Sequence, residues 1–134
     1  MLTTHSNRNR RVVITVEDDT VLNMLMVGLE KQNCYPVAVK DGYELQRLLR
    51  QDSNFCGAIF DMRIMGLQDL NILEFMRANE ELTRIPIMML AAERDFRYMA
   101  KDLAAGVSVF LSTPFTLHCL QSTLRLLVRF GTNS

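Results

Sequence analysis

The sequence has no excess of either charge, no long hydrophobic run and no signal-peptide segment. Fifteen basic and fifteen acidic residues cancel over 134 positions, so the composition does not indicate a nucleic-acid or membrane surface. No apolar run approaches the roughly 20 residues that cross a bilayer. We therefore expect one globular domain that binds neither nucleic acid nor membrane.

Cysteine and glycine motifs are also missing. Cys34, Cys56 and Cys119 lack a CxxC or His-paired metal spacing, and an odd number of thiols fits a reducing compartment. We expect a cytoplasmic protein whose cysteines are free and fill the core. No Gly-x-Gly-x-x-Gly or Gly-x-x-x-x-Gly-Lys sequence follows the first predicted strand, which leaves a dinucleotide-binding or P-loop function without support.

What the sequence does contain is an alternation of short apolar strands and amphipathic helices. Residues 1–10 are polar and aperiodic and are expected to form a flexible tail, while residues 11–131 form the domain. Strands are predicted at 11–17, 35–39, 58–61, 86–90 and 107–111. Helices are predicted from 19 or 20 to about 32, over 43–49, from about 69, over 96–105, and over about 116–129. This order predicts an α/β fold with a doubly wound parallel sheet.

Two of the predicted strands end in acid. The first runs into Glu17, Asp18 and Asp19, and the third ends at Asp61. A buried charge without a partner is costly, so these acids need a structural reason. The carboxyl ends of parallel strands meet at one edge of the sheet, where ligands bind in such folds. The pattern therefore predicts an oxygen-lined site for a hard cation such as Mg²⁺ or Ca²⁺.

The order of these motifs resembles the receiver domain of two-component response regulators. The resemblance covers about residues 11–130 and rests on Glu17-Asp18, Asp61, Pro86 and Thr113-Pro114-Phe115. It implies a flavodoxin-like (βα)5 fold with strand order 2-1-3-4-5 and an aspartate that accepts a phosphoryl group.

The resemblance also implies roles for individual residues. Asp61 is expected to be the phospho-acceptor and a ligand of Mg²⁺, with Glu17 and Asp18 binding the metal directly or through water. The backbone carbonyl of Arg63 completes the implied ligand set. Asp19 is expected to serve the start of the following helix, where an anion is favourable. The phosphoryl group is expected to come from a histidine kinase or a phosphotransfer protein.

Two positions depart from the family. Ala91 stands where the family has Ser or Thr, and Thr113 stands where it has Lys; the peptide bond after Thr113, to a proline, is expected to be cis. Phe110 occupies the position of the switch aromatic. Arg63 or Arg94 is an alternative source of the missing positive charge.

Three functions follow from these residues. The first is a single-domain response regulator that signals through protein contacts and catalyses only its own phosphorylation and dephosphorylation. The second is a degenerate receiver that binds partners without phosphorylation, and the third is an unrelated magnesium hydrolase, for which no general base or lid is evident. Partner docking is expected on the face of the fourth helix, fifth strand and fifth helix, and a homodimer is left open. That face carries Arg97, Lys101, Phe110 and Arg125.

Overall fold

The computed structural model describes residues 10–64, 71–92 and 106–132, and its centre is a five-stranded parallel sheet. The strand order is β2-β1-β3-β4-β5, which confirms the predicted doubly wound arrangement. The strands are β1 (Arg11–Thr15), β2 (Tyr35–Ala38), β3 (Gly57–Asp61), β4 (Ile87–Ala92) and β5 (Val109–Thr113). All neighbouring strands pair in parallel.

Four described helices cover the two faces of this sheet: α1 (Asp19–Lys31), α2 (Gly42–Gln51), α3 (Ile72–Ala78) and α4 (Leu117–Thr132). Consecutive strand residues point to opposite faces. Val13 accordingly packs in one apolar layer with residues of α2 and α3, and Ile14 packs in the other with residues of α1 and α4. A bilayer-spanning helix is absent from the described ranges.

Every strand differs from its predicted bounds by one or two residues, and β4 spans Ile87–Ala92 rather than 86–90, so Ala91 lies within the strand. β1 ends at Thr15 rather than at 17, so Glu17 and Asp18 lie in the connection to α1. β5 spans Val109–Thr113 rather than 107–111 because its pairing with β4 continues to Ala92 and Thr113. Thr113 is therefore the last residue of β5 and not part of the following turn, and the peptide bond between Thr113 and Pro114 is cis, as expected. The predicted helix at 96–105 and the predicted helix start at 69 lie outside the described residues.

The cysteines are free, but they do not all fill the core. Cys34 and Cys56 are buried, whereas Cys119 is exposed on α4, so the expectation was wrong for Cys119. A hydrogen bond with Cys56 lowers the pKa of Cys34 to about 7; burial opposes this shift and the guanidinium of Arg10 adds to it. The Arg10 Nη2 atom lies 3.8 Å from the Cys34 Sγ atom.

Helix α4 supplies a direct test of this layering. Leu124 is fully buried and meets α1 so closely that a Cβ atom added to Gly28 would lie 2.6 Å from its Cδ1 atom, whereas Leu126 is 44% exposed. Leu124→Ala should lower the free energy of unfolding by about 3 kcal/mol, because it removes buried methyl groups and leaves a cavity. Leu126→Ala should cost about 0.5 kcal/mol or less. Equal losses in urea unfolding would contradict the described packing.

Candidate phosphoryl-acceptor site

Asp61 is the buried acid at the carboxyl edge of the sheet. It is the last residue of the central strand β3, and 4% of its side chain is exposed. Thr15, the last residue of β1, pairs with the residue just before Asp61, so the β1 connection that carries Glu17 and Asp18 leaves the sheet at the same edge. Both of these acids are exposed. The topology thus brings the predicted acids to one edge, with one buried and two in solvent.

The side chain of Arg63 covers the Asp61 carboxylate. A turn places it there, since the Ile64 N–H donates to the Asp61 carbonyl at 3.0 Å. Asp61 Oδ1 accepts hydrogen bonds from the Arg63 backbone N–H at 3.0 Å and from Nε at 3.2 Å, and Oδ2 accepts from Nη2 at 3.1 Å. The guanidinium therefore binds both carboxylate oxygens, a geometry that satisfies a buried charge well.

Arg63 also lies in the field of the other two acids. Its pKa is raised, chiefly by its hydrogen bonds to Asp61 and by the Asp61 charge; burial opposes this, and the charges of Glu17 and Asp18 add to it. The resemblance implies a role for the backbone carbonyl of Arg63, and its side chain was one of two candidates to replace the missing lysine. In the structure the side chain does reach Asp61. The other candidate, Arg94, lies outside the described residues.

Asp18 caps a helix, a role that was predicted for Asp19 or Thr20. It is the N-cap of α1, and its Oδ1 atom accepts a hydrogen bond from the Val21 N–H at 3.0 Å. Asp19 is instead the first helical residue, where its negative charge interacts favourably with the positive end of the helix dipole. The prediction that Asp19 or Thr20 caps the helix was therefore wrong, because the strand ends at Thr15 and the helix already begins at Asp19.

The acids have the right chemistry for magnesium, which prefers oxygen ligands, but not the right arrangement. Among the described residues, no three His, Cys, Asp or Glu side chains lie close enough together to hold a metal ion. Both Asp61 oxygens are bonded to Arg63, and one oxygen of Asp18 caps a helix. As they are arranged here, these residues do not fit a bound Mg²⁺.

The positions that depart from the family lie on one side of Asp61, on the neighbouring strand β4 and on the edge strand β5. Ala91 is buried in β4 beside Ser112 of β5, and its methyl group offers no hydrogen-bond donor. Thr113 pairs with Ala92 at the end of the same ladder. Phe110 is half-buried and packs against the apolar layer that contains Val13, consistent with a packing role.

Sequence comparisons relate this chain to signalling proteins. No family model matches the sequence. The chemotaxis protein CheY-3 of Vibrio cholerae is 26% identical over 120 residues, which cover 88% of this chain and 91% of that protein. The transcriptional regulatory protein CseB of Streptomyces avermitilis is 31% identical over 124 residues, covering 89% of this chain and 50% of that protein.

Solved structures share the fold. The chemotaxis response regulator CheY4 of Vibrio cholerae superposes with a TM-score of 0.76 at 20% identity, covering 87% of this chain and 97% of that chain. The receiver domain of a sensor histidine kinase from Pseudomonas aeruginosa, solved with a magnesium ion coordinated in its active-site cleft, gives a TM-score of 0.73 at 21% identity over 89% and 97% of the two chains. At these identities the likeness establishes the fold alone.

Fold and sequence relatives agree on the class. The molecule is a flavodoxin-like α/β domain with an acid at the carboxyl end of its central strand. Together, the fold and the relatives support a receiver domain similar to those of response regulators in two-component signalling.

The capping role of Asp18 gives a testable prediction. Asp18→Ala should lower the free energy of unfolding by about 1 kcal/mol, because the Val21 N–H loses its acceptor. Asp18→Asn keeps an acceptor oxygen and should change stability by only about a few tenths of a kcal/mol. Glu17→Ala is the matched control for lost charge and should stay within about 0.5 kcal/mol. The same loss for Asp18→Asn as for Asp18→Ala in urea unfolding would rule out the cap.

Proposed function

We propose that this receiver accepts a phosphoryl group on Asp61 from the phosphohistidine of a histidine kinase or a phosphotransfer protein. The observation that carries the proposal is the buried carboxylate of Asp61, which ends the central strand at the carboxyl edge of the sheet. The histidine kinase receiver domain among the structural neighbours supports this class of donor.

The transfer forms one bond and breaks one. A carboxylate oxygen of Asp61 bonds to phosphorus as the bond between phosphorus and the donor imidazole nitrogen breaks, and that electron pair returns to the imidazole. The carboxylate is negative and approaches a negative group, so catalysis depends on positioning and on charge stabilisation. Arg63 is the described cation that contacts Asp61, and its guanidinium matches phosphoryl as well as carboxylate oxygens.

Magnesium belongs to this proposal as the family's cofactor. Its proposed ligands are Glu17, Asp18, Asp61 and the backbone carbonyl of Arg63. A Mg²⁺ ion held by these residues would supply positive charge that offsets the repulsion between the carboxylate and the incoming phosphoryl group. Because Arg63 binds both oxygens of Asp61, this ligand set forms only after the pair between Asp61 and Arg63 opens.

We further propose that phosphorylation is only weakly coupled to a change of shape. A ligand shifts a two-state equilibrium only through contacts that differ between the two states. Ala91 cannot donate a hydrogen bond to the new phosphoryl group, and the short neutral side chain of Thr113 cannot form an ion pair with it. The receiver would bind its downstream protein partner in the cytoplasm through the face that contains β5 and α4, where Phe110 and Arg125 lie.

A degenerate receiver that binds partners without phosphorylation is the second candidate. The buried methyl group of Ala91 favours it, because a methyl group donates no hydrogen bond to a phosphoryl group. The pair between Arg63 and Asp61 favours it too, because Arg63 occupies the oxygens of the carboxylate that would attack phosphorus. The exposed Glu17 at the same edge of the sheet favours the first candidate, since this acid does nothing for the apolar core and, unlike Asp18, does not cap a helix.

A mass measurement separates the two candidates. Incubation with Mg²⁺ and an acyl phosphate should add the mass of one phosphoryl group to the intact chain. Asp61→Asn should abolish the adduct, and Asp19→Asn, which removes a nearby acid assigned to the helix start, should retain it. No adduct with any donor, or an adduct that survives Asp61→Asn, would overturn the proposed acceptor.

Weak coupling can be tested at Phe110. Phosphorylation should shift the ring resonances of Phe110 only slightly in the wild-type chain. Ala91→Ser introduces a hydroxyl on β4 next to Leu90, the residue that pairs with Asp61, and should enlarge that shift. Ala38→Ser, an exposed position on the far edge strand β2, is the control and should not. A large shift already present in the wild-type chain would show that the switch works without the hydroxyl.

A further inference from the structure

We propose that the side chain of Arg63 is a built-in cation that competes with divalent metal for Asp61, and that it sets the metal affinity of this receiver. The inference rests on the proposed function for its setting, but it concerns metal binding and is tested apart from phosphorylation. It assigns to the side chain of Arg63 a role beyond that of its backbone carbonyl.

Arg63 competes with a metal ion because its guanidinium hydrogen-bonds to both oxygens of the Asp61 carboxylate. The guanidinium donates to Oδ1 through Nε and to Oδ2 through Nη2, at 3.2 and 3.1 Å. A metal ion binds carboxylate oxygens at little more than 2 Å and would be held close to a fixed positive charge. The two cations would repel each other at Asp61, so binding of one weakens binding of the other.

The two side chains of this ion pair differ in their exposure to solvent. The Asp61 side chain is 4% exposed, so its charge requires a partner in the folded chain, and the Arg63 side chain is 57% exposed. An exposed side chain can swing into solvent at a modest cost, because water takes over its hydrogen bonds. Arg63 thus neutralises Asp61 when metal is scarce and is free to leave when metal is abundant.

One of the hydrogen bonds to Asp61 comes from the backbone of Arg63 rather than from its side chain. The Arg63 N–H donates to Oδ1 at 3.0 Å and does not depend on the side chain. Replacing Arg63 therefore removes the two guanidinium contacts while one backbone contact continues to orient the carboxylate. The geometry of a guanidinium fork is also specific, since the ammonium of lysine is a single point charge.

Isothermal titration of MgCl2 into the full chain tests the proposal. Arg63→Ala should bind Mg²⁺ roughly fivefold more tightly than the wild-type chain, the effect expected for losing a half-exposed ion pair. Arg63→Lys keeps the charge but not the fork and should fall between the two. Arg84→Ala is the matched control, because it removes one exposed positive charge just before β4, at the opposite edge of the sheet, and should leave the affinity unchanged.

Each other outcome decides against the inference. An unchanged or weaker affinity in Arg63→Ala would show that Arg63 does not compete. Equal tightening in Arg84→Ala would assign the effect to net charge, and an affinity in Arg63→Lys equal to that of the wild-type chain would assign it to local charge rather than to the fork. Absence of Mg²⁺ binding in both the wild-type chain and Arg63→Ala would also overturn it, whereas failure of the proposed phosphorylation appears separately, as a missing mass adduct at Asp61.

Discussion

A buried negative charge at the end of the central strand is the constraint on which the site depends. Asp61 is nearly inaccessible to solvent, and a carboxylate in that position requires a partner. The structure supplies one from two residues away, through the turn that carries Arg63 back over the strand end. Glu17 and Asp18 add negative charge at the same edge, which strengthens the hold on Arg63. The charge of Asp61 is thus balanced by a side chain of the same strand-end turn.

The parallel sheet is what makes such an arrangement available. β1, β3 and β4 are buried on both faces, so their ends are the places where polar groups can meet solvent. The strand order places β3 between β1 and β4, and Asp61 therefore has the acidic β1 connection on one side and Ala91 on the other. The two sides differ chemically, since one carries carboxylates and the other carries a methyl group, which donates no hydrogen bond.

Much of the fold could be predicted from the sequence, because it depends on short apolar runs and their spacing. The sheet order and the place of Asp61 at a strand end were confirmed. The position of β5 was wrong by two residues, since the apolar run begins at Val107 whereas the ladder with β4 fixes the strand at Val109–Thr113. Which of the clustered acids caps α1 also depends on the exact end of β1. Neither ladder register nor cap geometry is encoded in hydrophobic pattern.

The cation on Asp61 was harder to predict, because arginines are common on protein surfaces and their direction depends on the local turn. The Arg63 Nε–H group donates to Asp61 and therefore reports directly on whether Arg63 binds this carboxylate in solution. Solution NMR should show slower solvent exchange of this proton in the wild-type chain than in Asp61→Asn, with the other arginine Nε–H groups unchanged. Equal exchange in the two proteins would contradict the account.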